Sequence, residues 1–261
     1  MSLFREVMLD GNAAALSAYR EKVGFLPNLM RAQSLMPRLV EAHIKLESAV
    51  LLADGALSRE QKEQIVLVVA ASRGDAYSVM VRGKVLNSLG VADSQIERLL
   101  VNYRLAGMSS SEVVLMDFCL KLSHYAPWIS GEDIDRLRGC GFDDGAILEA
   151  VLATGFASYL CALTVGLGPK PDFELRQLLP IPVTQPAWTS GSRGLKSHEA
   201  QGNSERKSYL QSVYRSPKTF EPYILILESH GFIPNFFRAQ TARPDLIGPE
   251  AEVIVGILLP Q

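Results

Sequence analysis

Four side chains within residues 57–90, LSREQKEQIVLVVAASRGDAYSVMVRGKVLNSLG, have types and spacing that could do chemistry: Glu63, Asp75, Ser78 and Arg82. Glu63 and Asp75 are carboxylates, able to give or take a proton. Ser78 and Arg82 stand at i and i+4, so on a helix they share one face. The guanidinium of Arg82 is a planar fork that fits a carboxylate with two parallel hydrogen bonds. One use of such a group is structural: an ion pair that ties two helices and fills the space between them. The other is functional: a small pocket in which Arg82 orients a carboxylate ligand while Glu63 or Asp75 acts as acid or base.

The elements that must position these residues read as helices. Ser58 and Gln61 form a capping-box pattern ahead of IVLVVAAS, which predicts a helix from about Arg59 to Arg73. Gly74 and Asp75 make a turn or a helix start. A second helix carries Tyr77 to Leu89 and stops at Gly90. Further on, Asp93 is a candidate N-cap, Ser109 with Glu112 repeats the capping box, and Ser130 caps a short helix ended by Gly141. The segment from Asp144 to about Val165 carries Ile147, Leu148, Val151, Leu152, Phe156, Tyr159, Leu160 and Leu163 as one wide apolar stripe. No run alternates with a strand's period of two, so the fold class is all-α.

Bulk properties remove several function classes. The formal charge of −2 lacks the basic surplus of a nucleic-acid or anionic-membrane binder. No apolar run approaches the roughly 20 residues needed to span a bilayer, and the N-terminus has no hydrophobic core of a secretory signal. Cys119, Cys140 and Cys161 are scattered, the pattern of reduced thiols in the cytoplasm. The expectation is therefore a cytoplasmic protein that binds neither nucleic acid nor membrane. No metal-ligand spacing and no nucleotide-binding motif occurs, so no metal or cofactor is expected. His43 has no metal partner at useful spacing. His124 lies at a helix end beside Tyr125 and Trp128, where capping or packing suits it. Tyr77 reads as core.

After Gly168 the composition changes. Residues 169–204 are rich in Pro, Gly and Ser and read as a linker. Then the chain repeats itself. Residues 24–54, GFLPNLMRAQSLMPRLVEAHIKLESAVLLAD, align without gaps on 231–261, GFIPNFFRAQTARPDLIGPEAEVIVGILLPQ, with eleven identities in 31 positions. The reading is one module over 1–168, a linker over 169–204, and over 205–261 the opening helices of a second module. The second copy stops short of a counterpart to Glu63. An apolar helix without its hairpin predicts docking on the first module, as an intramolecular pseudo-dimer, or on another chain in a homo-oligomer.

Residues 57–90, with GFLPNL at 24–29 and GLG at 166–168, resemble the alkylhydroperoxidase AhpD / carboxymuconolactone decarboxylase family, in its peroxidase-related branch. The resemblance covers residues 20–168 and implies a helical bundle centred on a hairpin over 59–89. In redox members a Glu is followed twelve residues later by Cys-x-x-Cys, with a His four residues after the second Cys. Here Glu63 holds the Glu position, Asp75 and Ser78 replace the cysteines, and Arg82 replaces the His. Cys161 and Ala162 stand where that branch often carries Asn and Arg. A peroxidase cysteine works as a thiolate that becomes a sulfenic acid, and neither Asp nor Ser can do so. The resemblance thus implies a module without the redox pair, with Arg82 paired to Glu63 or Asp75. The decarboxylase branch keeps a second reading open, a cysteine-independent lyase or isomerase on a small carboxylic acid. An oligomerisation scaffold is a third.

Overall fold

The computed structural model describes residues 13–173, 220–230, 233, 235–241 and 243–258. Within them the chain is helical throughout, with no strand. The helices are α1 (Ala13–Val23), α2 (Asn28–Ala32), α3 (Pro37–Glu47), α4 (Arg59–Ser72), α5 (Ala76–Ser88), α6 (Asp93–Asn102), α7 (Ser110–Tyr125), α8 (Gly131–Gly139), α9 (Asp144–Leu167), α10 (Glu221–His230), α11 (Asn235–Ala239) and α12 (Pro244–Leu258). A π-helical turn, Ser48–Leu52, continues α3.

The central hairpin is α4 and α5. The Ser58–Gln61 capping box is present: the Gln61 backbone N–H donates to Ser58 Oγ at 3.1 Å, and the Ser58 backbone N–H donates to the Gln61 side-chain Oε1 at 3.0 Å. Such a box satisfies two donors that a helix start leaves bare. Asp75 caps α5 by accepting from the Ser78 N–H at 3.1 Å. Gly74, at φ +72°, makes the turn between them. Ile65 to Ala70 are all buried, so α4 is wrapped on every side. It packs on α5, α9 and α7.

Two expectations are corrected. Asp93 is the first residue of α6 and Ala92 its N-cap; the Asp93 carboxylate instead accepts from Asn87 Nδ2 at 2.7 Å. And α9, 24 residues long, is apolar and long enough by length and composition to cross a membrane. In the sequence its apolar residues are interrupted by Glu149, Thr154 and Ser158. In this fold α9 runs through the core against α4, α5, α7 and α8.

Helices α11 and α12 match α2 and α3 in the type and spacing of their first residues. Both α2 and α11 begin at an Asn, both α3 and α12 at a Pro, each pair 207 residues apart. Proline suits a first helical turn, where its missing N–H costs nothing. The buried positions also correspond: Met30 with Phe237, Val40 with Ile247, Ile44 with Ala251, Tyr19 with Ile226. Helix α12 lies against α3. Lys45 Nζ meets the Glu252 carboxylate at 2.7 Å, and these are equivalent positions of the two copies. Leu39 faces Gly256, the counterpart of Ala49.

Of the segment 169–204, Asp172 and Phe173 lie on the first module. Asp172 accepts from the Asn28 N–H at 2.9 Å and Phe173 packs edge-on against Phe25. Residues 1–12 and 174–219 lie outside the described residues, so most of the expected linker and the start of 205–261 do too.

Candidate functional site

Arg82, on α5, is buried and points between two carboxylates. Its Nη2 lies 2.7 Å from Glu47 Oε1 and its Nη1 donates to Glu63 Oε2 at 3.2 Å. Glu63 comes from α4 and Glu47 from the last turn of α3. Tyr19, on α1, donates its hydroxyl to Glu47 Oε2 at 2.7 Å. His43, one turn before Glu47, holds Nε2 at 3.8 Å from the same oxygen, and its Nδ1 meets the Gln33 side chain at 3.1–3.2 Å. Rings of Phe156 and Tyr159 on α9 stand edge-on to the imidazole. All five network residues, Tyr19, His43, Glu47, Glu63 and Arg82, are at most 3% exposed.

Burial and pairing set the charges. Burial works against ionised Glu47, but Arg82, then His43 and the Tyr19 hydroxyl, outweigh it and hold its pKa below the ordinary value. Glu63 goes the other way: burial raises its pKa, and Arg82 offsets only part of that. Glu47 and Glu63 keep the guanidinium protonated despite its burial. Pairing thus favours the charged form of Glu47, while burial biases Glu63 toward its neutral form.

Asp75 does not join Arg82. Its Oδ1 caps α5 and its Oδ2 accepts from Thr164 Oγ1 on α9 at 2.8 Å. Cys161 lies beside it, and burial first, then the Asp75 charge, push that thiol up to about 12. Burial alone pushes Cys119 to about 12 as well. Both thiols are therefore protonated near neutral pH and are poor nucleophiles. Ser78 is buried on the same face as Arg82 and lines a small cavity with Tyr19, Leu29, Glu47, Tyr77 and Arg82. The cavity is about 10 Å³, room for about one water molecule. Tyr77, read as core from the sequence, is a bridge: its hydroxyl accepts from the Leu29 N–H at 2.9 Å and donates to Asp172. His124 meets Ser72 Oγ at 2.8 Å, which joins the ends of α7 and α4.

The sequence pointed to Glu63 and Arg82 but missed Glu47, Tyr19 and the non-metal role of His43. The available signal was EAHIKLE, where His43 and Glu47 share a face at i and i+4. Among the described residues, no group of three His, Cys, Asp or Glu side chains is placed to hold a metal.

The network makes a pH prediction. Burial lowers the His43 pKa from 6.5 to about 4. An unfolded chain therefore binds a proton at His43 that the folded chain refuses. The stability that follows is present above about pH 6.5 and is lost as pH falls toward 4. Urea melts across that range should show the decline, and His43→Gln should flatten it. An unchanged slope in His43→Gln would remove His43 as the source.

Comparison with known proteins adds the fold. No family model and no curated protein matches the chain. Among solved structures it is similar to the alkylhydroperoxidase AhpD core of an uncharacterized peroxidase-related protein from Ralstonia eutropha JMP134, at 24% identity and TM-score 0.62, over 67% of this chain and 94% of that one. It is similar to an uncharacterized peroxidase-related protein from Silicibacter sp. TM1040, at 24% identity and TM-score 0.58, over 62% of this chain and 85% of that one. It also resembles the debrominase Bmp8, solved as a cysteine-to-alanine variant with 2,3,4-tribromopyrrole, at 14% identity and TM-score 0.59, over 67% of this chain and 96% of that one. The chain therefore has the all-helical fold of the AhpD-core, peroxidase-related structures.

Proposed function

We propose that this chain is an AhpD-like, peroxidase-related protein whose first module does no thiol chemistry and serves as a packing half. The observation that carries the reading is the closed Glu47–Arg82–Glu63 triad in the place where the resemblance puts a redox centre. A sulfur-free Asp75 and Ser78, each engaged in the start of α5, support it. The two cysteines nearest the core, Cys119 and Cys161, are held as protonated thiols. The α10–α12 unit then acts as the other half of an intramolecular pseudo-dimer, seated on α3 through α12.

A decarboxylase-like lyase acting on a small carboxylic acid would need Arg82 open to its ligand. Both sides of the guanidinium are already occupied, and about 10 Å³ beside it takes no substrate. The halopyrrole bound by the debrominase would not fit there either.

The test is catalytic and chemical together. The 261-residue chain should not consume hydroperoxides with a dithiol donor above the buffer rate. Cys119 and Cys161 should resist alkylation by iodoacetamide in the native state at neutral pH and react once the protein is denatured. Turnover that survives replacement of all three cysteines by Ser would defeat the thiol argument. Turnover lost in Cys161→Ser alone would make Cys161 a relocated nucleophile and end the packing-half reading.

A further inference from the structure

Helix α12 packs on the first module, yet not all of its apolar residues are covered. Leu246, the counterpart of Leu39, is buried in the core of the first module, and Glu252 pairs with Lys45. Near the end of α12, Ile257 is left uncovered, as is Phe236 on α11. Each is 52% exposed. Their counterparts in the first copy, Val50 and Leu29, are 4% and 3% exposed and belong to the main core cluster formed with α4, α5 and α9. The internal repeat thus shows what covers this face where it is covered.

We infer that the Phe236–Ile257 face of α11 and α12 is a docking surface for a second helical core of this same fold, one equivalent to residues 55–168. This rests on the pseudo-dimer reading only for the seat of α12 on α3; the face itself is a separate observation. The face also selects its partner's chemistry. In the first copy Tyr19 and Glu47 answer the buried Arg82. Their counterparts are Ile226 and Ile254, both apolar. A guanidinium brought against two isoleucines would be buried without a counter-charge, which is strongly unfavourable. The partner core therefore carries an uncharged side chain at the position of Arg82.

The test keeps the whole chain and tethers the probe to it, so that binding is intramolecular. Residues 55–168 are duplicated after Gln261, with the duplicate's Arg82→Met. Amide exchange at Ile254–Leu258 should slow by about tenfold or more relative to the 261-residue chain, and the duplicate's own helices should become protected. Phe236→Asp should abolish that slowing while leaving exchange in α4 unchanged. A duplicate that keeps Arg82 should protect the face less, and Ile254→Glu should restore it. A duplicate that folds without slowing exchange at Ile254–Leu258 would overturn the proposal, as would a duplicate that never becomes protected. Equal protection from the Arg and Met forms would overturn the selectivity. If α12 exchange is fast in the 261-residue chain at its α3-facing positions also, the pseudo-dimer reading fails, and that outcome is distinct from these.

Discussion

Arg82→Ala should destabilise the fold by about 3–5 kcal/mol. The variant removes the single cation between two buried carboxylates, at Nη contacts of 2.7 and 3.2 Å. Glu47 and Glu63 would then be buried without a counter-charge and would take protons instead. Their folded pKa values would rise above the unfolded ones, so the residual stability would be present at low pH and lost as pH rises through them. Urea denaturation at about pH 5 and about pH 8 should show a larger loss at the higher pH. Arg82→Lys keeps the charge but not the two-sided reach, and should fall between the parent and Arg82→Ala. A loss within about 0.5 kcal/mol, the scale of an ordinary surface change, would show that the triad contributes nothing.

The second large effect is expected at Glu149, on α9. Its carboxylate accepts from the Ala56 N–H at 2.9 Å and the Leu57 N–H at 3.0 Å, just before the α4 cap. Lys62 Nζ lies 3.9 Å away, and Arg243, at the start of the α12 region, is paired directly with it. Glu149 thus fixes the entry to the hairpin and ties Arg243, just before α12, to α9. Glu149→Ala strands the buried Lys62 beside Arg243 and leaves two amides unpaired. The loss should be about 3 kcal/mol or more. Glu149→Gln keeps an acceptor for the amides and should cost less. Arg243→Ala should leave the first module standing and speed amide exchange in α12. Exchange in α12 that is indifferent to both Glu149 and Arg243 would refute the anchor.

The hairpin was readable because its signals are local. Ser58 and Gln61 lie three residues apart, and Ser78 and Arg82 one turn apart, so adjacent residues settle the helix starts and the shared face. The repeat was read from Gly-Phe, Pro-Asn and Arg-Ala-Gln kept in one register, and the first residues of α11 and α12 fall at the same spacing as those of α2 and α3. Glu47 was not readable, because its partners Tyr19 and Arg82 are 28 and 35 residues away and only packing brings them together. Glu47 is fully buried because a guanidinium and a phenol replace its water. Asp75 was read correctly as a turn or helix start. The pairing offered for it went to Glu63 because its two oxygens are already taken by the Ser78 N–H and the Thr164 hydroxyl. The fold itself was legible from period and caps. Its similarity to the peroxidase-related structures, at 24% identity, rests on shape.

Glu47, Glu63 and Arg82 form a closed ion cluster that acts as core. Thermal melting of Arg82→Ala beside the triple variant Glu47→Leu, Glu63→Leu, Arg82→Met tests it most directly. A buried ion cluster can be exchanged for apolar side chains of similar volume with little or no loss, whereas breaking one member leaves the others unpaired. The triple variant should keep the helical fold and melt near or above the parent, and Arg82→Ala should melt well below both. A triple variant that falls as far as Arg82→Ala, or an Arg82→Ala that melts with the parent, would contradict it.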